Sequence, residues 1–387
     1  MSTPIHLRRT GFDPAPELRE LAGEPGMPLI MSQFGPARLA VRHADVRAVL
    51  SDTTAFSNKA ERRLNLEEAR AGGDESFEDA PGFLLGLDPP EHTVLRRMLT
   101  PEFTVRRMKR VEPRVHEIVT DLLDAVEKSG PPAELVADFA LPVPSLVICE
   151  LLGVPYEDAG WFQSRSTGQL DLALTLDERA RNGRELGEYI GELVDRQRAD
   201  PGDNLIGMLL REHEVSREEV IGVASLLLIA GHETTANMLS LGTLILLRNP
   251  DQLALLRDDP SAVDAAIEEL LRYLTVAHST IARDVLVDVK VGDQQLHAGE
   301  VVLCSLTLAN RELSDTFDIT RAPSPHAAFG HGAHHCLGAP LARMELRIAF
   351  PALLRRFPGL RLAVPDGEIV FADNTPVHGI KTLPVTW

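Results

Sequence analysis

The sequence predicts a mainly α fold with a smaller β region, and three observations carry that prediction. Val220–Leu247 is almost wholly apolar, too long for a strand and apolar on every face. Helical periodicity also fills Val111–Glu127, Leu141–Leu152, Asp158–Leu174 and Glu178–Arg198. Alternating, β-branched stretches are confined to the two ends of the chain. Helices in the middle and a sheet assembled from both ends point to one domain spanning residues 1–387. Breaks at Gly130-Pro131-Pro132, Gly153-Val154-Pro155 and Pro201-Gly202 read as turns, not as domain linkers.

Taken in order, Pro16–Leu21 reads as a short helix. Leu29–Ser32 and Arg38–Arg42 read as strands around a Gly35-Pro36 turn, and His43–Leu50 returns to helix. Ala60–Asp79 is polar, acidic and glycine-containing, the composition of a mobile loop with a helical start. Pro90–Leu99 opens on a proline suited to a first helical turn, and His92 and Arg96, four apart, share one face of it.

Ser216 and Glu219 have capping-box spacing at the start of the long apolar helix, and Asn249-Pro250 ends it. Its length could cross a bilayer, but His232, Glu233, Thr234, Thr235 and Asn237 interrupt its middle, so a central buried helix is the better reading. Ala230-Gly231 sets two small residues beside an acid and an alcohol, a poor choice for packing. It suits a place where something binds against the helix and protons are delivered; a kink with satisfied polar groups is the plain alternative. Asp264–Tyr273 follows as a helix with Glu269 and Arg272 at ion-pair spacing. Ile281–Val291 and Glu300–Leu303 read as strands around a Gly292-Asp293 turn, and Leu360–Val364, Ile369–Phe371 and Leu383–Val385 as short strands.

A net charge of −18 argues against a general nucleic-acid binder. Against that background Arg96, Arg97, Arg106, Arg107, Lys109, Arg110 and Arg114 crowd one segment, either a solvated face or a docking patch for an acidic protein. The N-terminus has two arginines and no apolar run, so a cytoplasmic location is expected. Three scattered cysteines make no disulfide framework; Cys149 and Cys304 lie in apolar runs and read as core residues.

The third cysteine is different. Phe329–Glu345 reads FGHGAHHCLGAPLARME, a Gly/His-rich loop running into Cys336 with an amphipathic helix behind it. Gly330 and Gly332 permit a tight turn, and a helix N-terminus favours a thiolate. Four readings stand at this point: a plain buried thiol, a zinc ligand with His331, His334 and His335, a catalytic nucleophile, or an axial thiolate to haem iron.

As a set, these motifs resemble the bacterial, soluble cytochrome P450 family. The family's Phe-Gly-x-Gly-x-His-x-Cys-x-Gly loop matches Phe329, Gly330, Gly332, His334, Cys336 and Gly338; its Ala-Gly-x-acid-Thr segment matches Ala230, Gly231, Glu233 and Thr234; its Glu-x-x-Arg element matches Glu269 and Arg272. His92–Arg97 and Arg283 also fall where the family has them, and order and spacing agree from about residue 30 to the C-terminus. The segment after Glu312 is shorter than the family's meander, running through Ser314-Asp315-Thr316 directly into Phe317-Asp318.

The resemblance implies a long central helix over a haem b and a monomeric monooxygenase. Cys336 would be the proximal iron ligand. His92, Arg96, Arg283 and His334 would bind the propionates, with Phe329 and Ala230 also against the cofactor. Thr234 would stabilise bound dioxygen and Glu233 would relay protons, acting through water or by rotating because adjacent helix residues diverge. Glu269 and Arg272 would form a structural lock. Leu226, Ile229, Ala230, Ala277, Ser279, Ile281 and Val377 would line a pocket for a hydrophobic small molecule, while His278 either faces that pocket or caps a turn.

Electrons would come from NAD(P)H through a ferredoxin and its reductase, since the chain lacks a dinucleotide fingerprint. The implied reaction is hydroxylation or epoxidation of a bacterial natural product such as a polyketide or macrolide; oxidative coupling or ring closure without oxygen insertion is the alternative.

Overall fold

A computed structural model describes residues 4–32, 35–59, 80–277, 281–372 and 375–387. The expected loop over 60–79, His278 and Ser279 lie outside these residues.

The organising element is the central helix, Arg217–Leu247. Its start is fixed as the capping-box spacing predicts: the Glu219 N–H donates to the Ser216 hydroxyl (3.1 Å) and the Ser216 N–H to the Glu219 carboxylate (2.8 Å). Most of its side chains are buried on all sides. No helix among the described residues is long and apolar enough to cross a membrane. The helix packs against Pro142–Leu152, Leu176–Ala199 and Ala339–Arg356.

Two glycines permit the close approaches. A Cβ on Gly231 would stand 3.1 Å from Ile148, and one on Gly242 only 2.4 Å from the Phe350 ring. The helix that follows the cysteine therefore crosses the central helix at near-backbone contact.

Helix boundaries differ from the periodicity reading where capping chemistry outweighs it. Val105–Ser129 begins six residues earlier than expected, because the Thr104 hydroxyl accepts from the Arg107 N–H. Leu176–Ala199 opens on a second capping box, Thr175 with Glu178. A π-helical stretch, Val136–Ala140, precedes Pro142–Leu152. The helix expected over Asp158–Leu174 runs only Ala159–Leu170. Leu205–Glu212, Pro250–Asp258 and Leu306–Leu313 are helices the apolar pattern does not reveal, each too short to show a clear period.

The main sheet draws on both ends of the chain. Its order is Leu29–Ser32, Gly35–Ala40, Val301–Cys304, Ile281–Val285, Phe56–Ser57. Val301–Cys304 runs parallel to Gly35–Ala40 and antiparallel to Ile281–Val285, which sets Arg283 opposite Val302. The stretch expected as one strand over Ile281–Val291 is broken into Ile281–Val285 and a hairpin strand Val289–Val291. Ile369–Phe371 forms no strand, only a bridge from Phe371 to Ile380. Cys149 and Cys304 are fully buried, and desolvation pushes both thiols up to about 12, as befits core residues.

Candidate active site

The cysteine loop is built by backbone hydrogen bonds and two left-handed glycines. The Gly330 N–H donates to Ala327 O (2.8 Å), His335 to Gly332 O (3.1 Å) and Cys336 to Phe329 O (2.9 Å). Gly330 and Gly332 both have φ near 71°, where a side chain is strained. At Gly332 space forbids one as well: a Cβ would lie 2.1 Å from the Leu50 carbonyl oxygen. At Gly330 the nearest atom is the Ile281 side chain, 3.8 Å away. Gly332→Ala is therefore expected to destabilise the protein by about 2 kcal/mol or more, and Gly330→Ala by only about 1 kcal/mol. Chemical denaturation of the two variants side by side checks this; equal losses would remove Leu50 from the account.

Cys336 is exposed, yet burial is the largest influence on its thiol and raises it. A group deep in the protein with one open face has both properties. The Gly338 and Ala339 N–H groups and the Arg96 and Arg343 guanidiniums pull the other way without prevailing. Burial thus opposes the thiolate, while the N–H groups at the start of the helix favour it. The helix proper begins at Ala339, beyond Gly338, and its few free N–H groups do not offset desolvation. A coordinated metal ion would deprotonate the sulfur outright. The zinc reading finds no support: no group of three or more His, Cys, Asp or Glu suited to a metal occurs among the described residues.

A clamp behind the loop escaped the sequence reading. Glu268 accepts two bonds from Arg343 (2.6 and 2.8 Å), and the His326 Nε2 lies 3.2 Å from it. Burial pushes Glu268 up, but Arg343 and His326 hold its carboxyl down at about 2. The Arg343 guanidinium lies 4.6 Å from the centre of the Phe329 ring, the first residue of the loop.

Beside the loop lies a cluster of nitrogen donors. His92 and His334 stack with ring centroids 3.9 Å apart, and Arg96 donates to the His335 carbonyl at 2.6 Å. The His334 Nε2 meets the Asn58 amide, a partner with no signal in the sequence. Burial, and then His92, Arg283 and Arg96, push His334 down to about 3; burial and Arg96 likewise lower His92. His92, Arg96, Arg283 and His334 thus share one electrostatic environment, which also includes Cys336.

The buried His92 Nε2 and His334 Nδ1 have no hydrogen-bond partner among the described residues. Orphaned donors among mutually repelling cations fit an anionic group; a carboxylate there would satisfy both nitrogens and reverse the repulsion. The donor set and the adjacent sulfur together fit a haem carrying two carboxylates.

On the central helix, Ala230 is exposed in the midst of buried neighbours, and Thr234 follows one turn later on the same side. The Thr234 hydroxyl donates to the Ala230 carbonyl at 2.8 Å. Glu233 points elsewhere: its Oε1 accepts the Thr167 hydroxyl of the neighbouring helix, and His232 Nε2 stands 3.7 Å away. Burial would raise the Glu233 carboxyl, but His232 and Thr167 outweigh it and the net shift is downward.

Leu226 and Ile229 are buried in the same core cluster as Val377, which bridges to Ala277. Ile281 reaches the cysteine loop at Gly330. Glu269 and Arg272, three residues apart on their own helix, form a buried bidentate pair at 2.7 and 2.8 Å. Of the arginine-rich segment, Arg107 and Arg110 pair with Asp203, and Arg107 also with Glu102. Arg114 pairs with Glu117 and Glu150. Arg97, Arg106 and Lys109 are exposed and have no ion pair among the described residues.

Comparison with known proteins adds to this geometry. The family model described as Cytochrome P450 matches residues 186–384. The curated "Cytochrome P450-SU2" of Streptomyces griseolus is 46% identical over 97% of this chain and 94% of its own length. Among solved structures, P450 StaH from glycopeptide antibiotic A47934 biosynthesis superposes with a TM-score of 0.88 at 46% identity, each chain covered completely. CYP105P1 in complex with filipin I has a TM-score of 0.92 at 39% identity, covering 100% of this chain and 99% of that one.

Proposed function

This chain belongs to the cytochrome P450 family, a monooxygenase oxidoreductase with a haem-iron cofactor, and from that premise we propose that it inserts one oxygen atom from dioxygen into a hydrophobic natural product. The observation that carries the proposal is the open Ala230–Thr234 face of an otherwise buried helix, with an acid at Glu233. Cys336 would hold the iron, and His92, Arg96, Arg283 and His334 would receive the propionates, with Phe329 and Ala230 as further residues for the cofactor. When bound, haem with a thiolate ligand supplies the oxygen-activating chemistry.

The protein's own residues do the rest. Thr234 presents a hydroxyl beside small Ala230, held by the Ala230 carbonyl and able to donate and accept. Glu233 lies off to one side, against Thr167 and His232, where its carboxylate can take up and pass on a proton. Leu226, Ile229, Ala277, Ser279, Ile281 and Val377 exclude water and orient the substrate by shape, with few polar contacts. Hydroxylation or epoxidation of a polyketide or macrolide is the reaction we favour, supported by the likeness to a P450 complexed with filipin I; the likeness to a P450 of glycopeptide antibiotic biosynthesis supports a natural-product substrate without favouring that reaction.

Electrons reach the site from NAD(P)H by way of a ferredoxin reductase and a ferredoxin. The ferredoxin's acidic face meets Arg97, Arg106 and Lys109, which have no ion pair among the described residues. Turnover under isotopically labelled dioxygen tests the reaction: one labelled atom per product molecule is expected. Product formed with no label would instead establish coupling or ring closure.

A further inference from the structure

His232 lies between two residues of assigned importance and has no role in the mechanism above. It is fully buried, and its ring meets Phe162 edge-on at 5.7 Å. We propose that His232 is the positioning residue for Glu233, the two groups sharing one proton between His232 Nε2 and Glu233 Oε1. The proposal rests on the reading of Glu233 as proton carrier.

The hydrogen-bond geometry leads to one proton. His232 Nδ1 lies 2.6 Å from the Leu228 carbonyl oxygen, which can only accept, so Nδ1 must carry a hydrogen. In a neutral ring Nε2 then bears a lone pair. That lone pair faces a carboxylate oxygen 3.7 Å away, and Nε2 has no hydrogen-bond partner of its own. Two acceptors confronted in a buried place repel each other unless one of them holds a hydrogen.

A single proton resolves the conflict in either position. On Nε2 it makes an imidazolium against a carboxylate; on Oε1 it makes two neutral groups. Moving it, once the Glu233 side chain closes the 3.7 Å gap to hydrogen-bond distance, breaks the N–H bond at Nε2 and forms the O–H bond at Oε1, with no other change of charge in the pair. The Thr167 hydroxyl donates to the same Oε1 and stabilises its charged form. Against the opposing effect of burial, His232 and Thr167 lower the Glu233 carboxyl. Glu233 is thereby charged in the resting state with a loaded donor beside it; it takes the proton from His232 and passes it toward Thr234, and the pair regains one proton before the next delivery.

Infrared spectra of the resting holoenzyme test the pair directly. Wild-type protein should show no protonated-carboxyl band that Glu233→Gln removes. In His232→Asn, which keeps the bond to Leu228 and cannot carry the proton, such a band should appear, and Glu233→Gln in the same background should abolish it. His232→Gln, whose amide can reach the Nε2 position, provides a second background should the asparagine variant fold poorly. In both variants the share of electrons ending in product should fall about tenfold, the low end of what general acid–base groups contribute. A carboxylate that stays ionised in both variants overturns the proposal. The relay reading fails separately, if Glu233→Gln alone leaves the coupling of electrons to product unchanged.

Discussion

Cys336→Ser is expected to abolish the red-shifted Soret band of the reduced, carbon-monoxide-bound holoenzyme and to lower turnover by more than ~100-fold. The magnitude follows from rank: changing groups that merely orient a metal ligand costs about 10- to 100-fold, so loss of the ligand itself must exceed that. Serine changes one atom on an open face of Cys336. The loop's shape comes from backbone bonds of Gly330, His335 and Cys336 to carbonyls and from the Arg343–Phe329 contact, none of which uses the sulfur. Global stability should therefore stay within about 1 kcal/mol of the parent, the range of substitutions that create no cavity and orphan no buried group. A spectrum unchanged by the substitution would place the axial ligand elsewhere. An unfolded variant would show the thiol to be a core group instead, and the two outcomes are separated by circular dichroism.

The residues that could be read from sequence are those whose chemistry conflicts with their surroundings. Glu233 and Thr234 stand out because an acid and an alcohol interrupt an apolar helix, and Cys336 because glycines and histidines surround it. The helical middle and the two-ended sheet were legible for the same kind of reason, since periods of 3.6 and 2 survive in long or strongly patterned segments.

What could not be read depends on partners distant in the chain. Asn58 meets His334 across more than two hundred residues, and Thr167 meets Glu233 from another helix. Glu268 sits beside Glu269 and looks like its equal in sequence. The helix turns the two apart, so that Glu268 grips Arg343 behind the cysteine loop while Glu269 grips Arg272. The setting of Cys336 is legible only in part for a related reason: a helix N-terminus is visible in sequence, but the desolvation that opposes it is set by the packed surroundings.

Arg272→Met is expected to destabilise the protein by about 3–5 kcal/mol, the cost of leaving one partner of a buried ion pair uncompensated. Arg272 is among the largest fully buried side chains, and its guanidinium has no slack. It donates twice to Glu269, at 2.7 and 2.8 Å, and to the carbonyls of Asn310 (2.9 Å), Ser314 (2.5 Å) and Thr316 (2.9 Å). Those last two acceptors lie in the shortened segment after Glu312. Its brevity is thus compatible with the lock, since the segment folds straight onto Arg272. Methionine fills much of the same volume but removes the guanidinium from three carbonyls, of which that of Thr316 keeps Arg321 at 3.4 Å, and from a carboxylate that keeps the Asp318 N–H at 2.9 Å and Arg321 at 3.5 Å.

Because Ser314–Asp318 leads toward the cysteine loop, haem retention should fall along with the unfolding midpoint. Glu269→Gln should cost less than Arg272→Met, since a neutral amide can still accept from the guanidinium and from Asp318. The double variant Glu269→Gln, Arg272→Met should recover part of the loss, because no buried charge is then left unpaired. Strictly additive losses in that cycle would mean that the two residues act separately. The Arg272 carbonyl contacts, and not the ion pair, would then be what holds the segment in place.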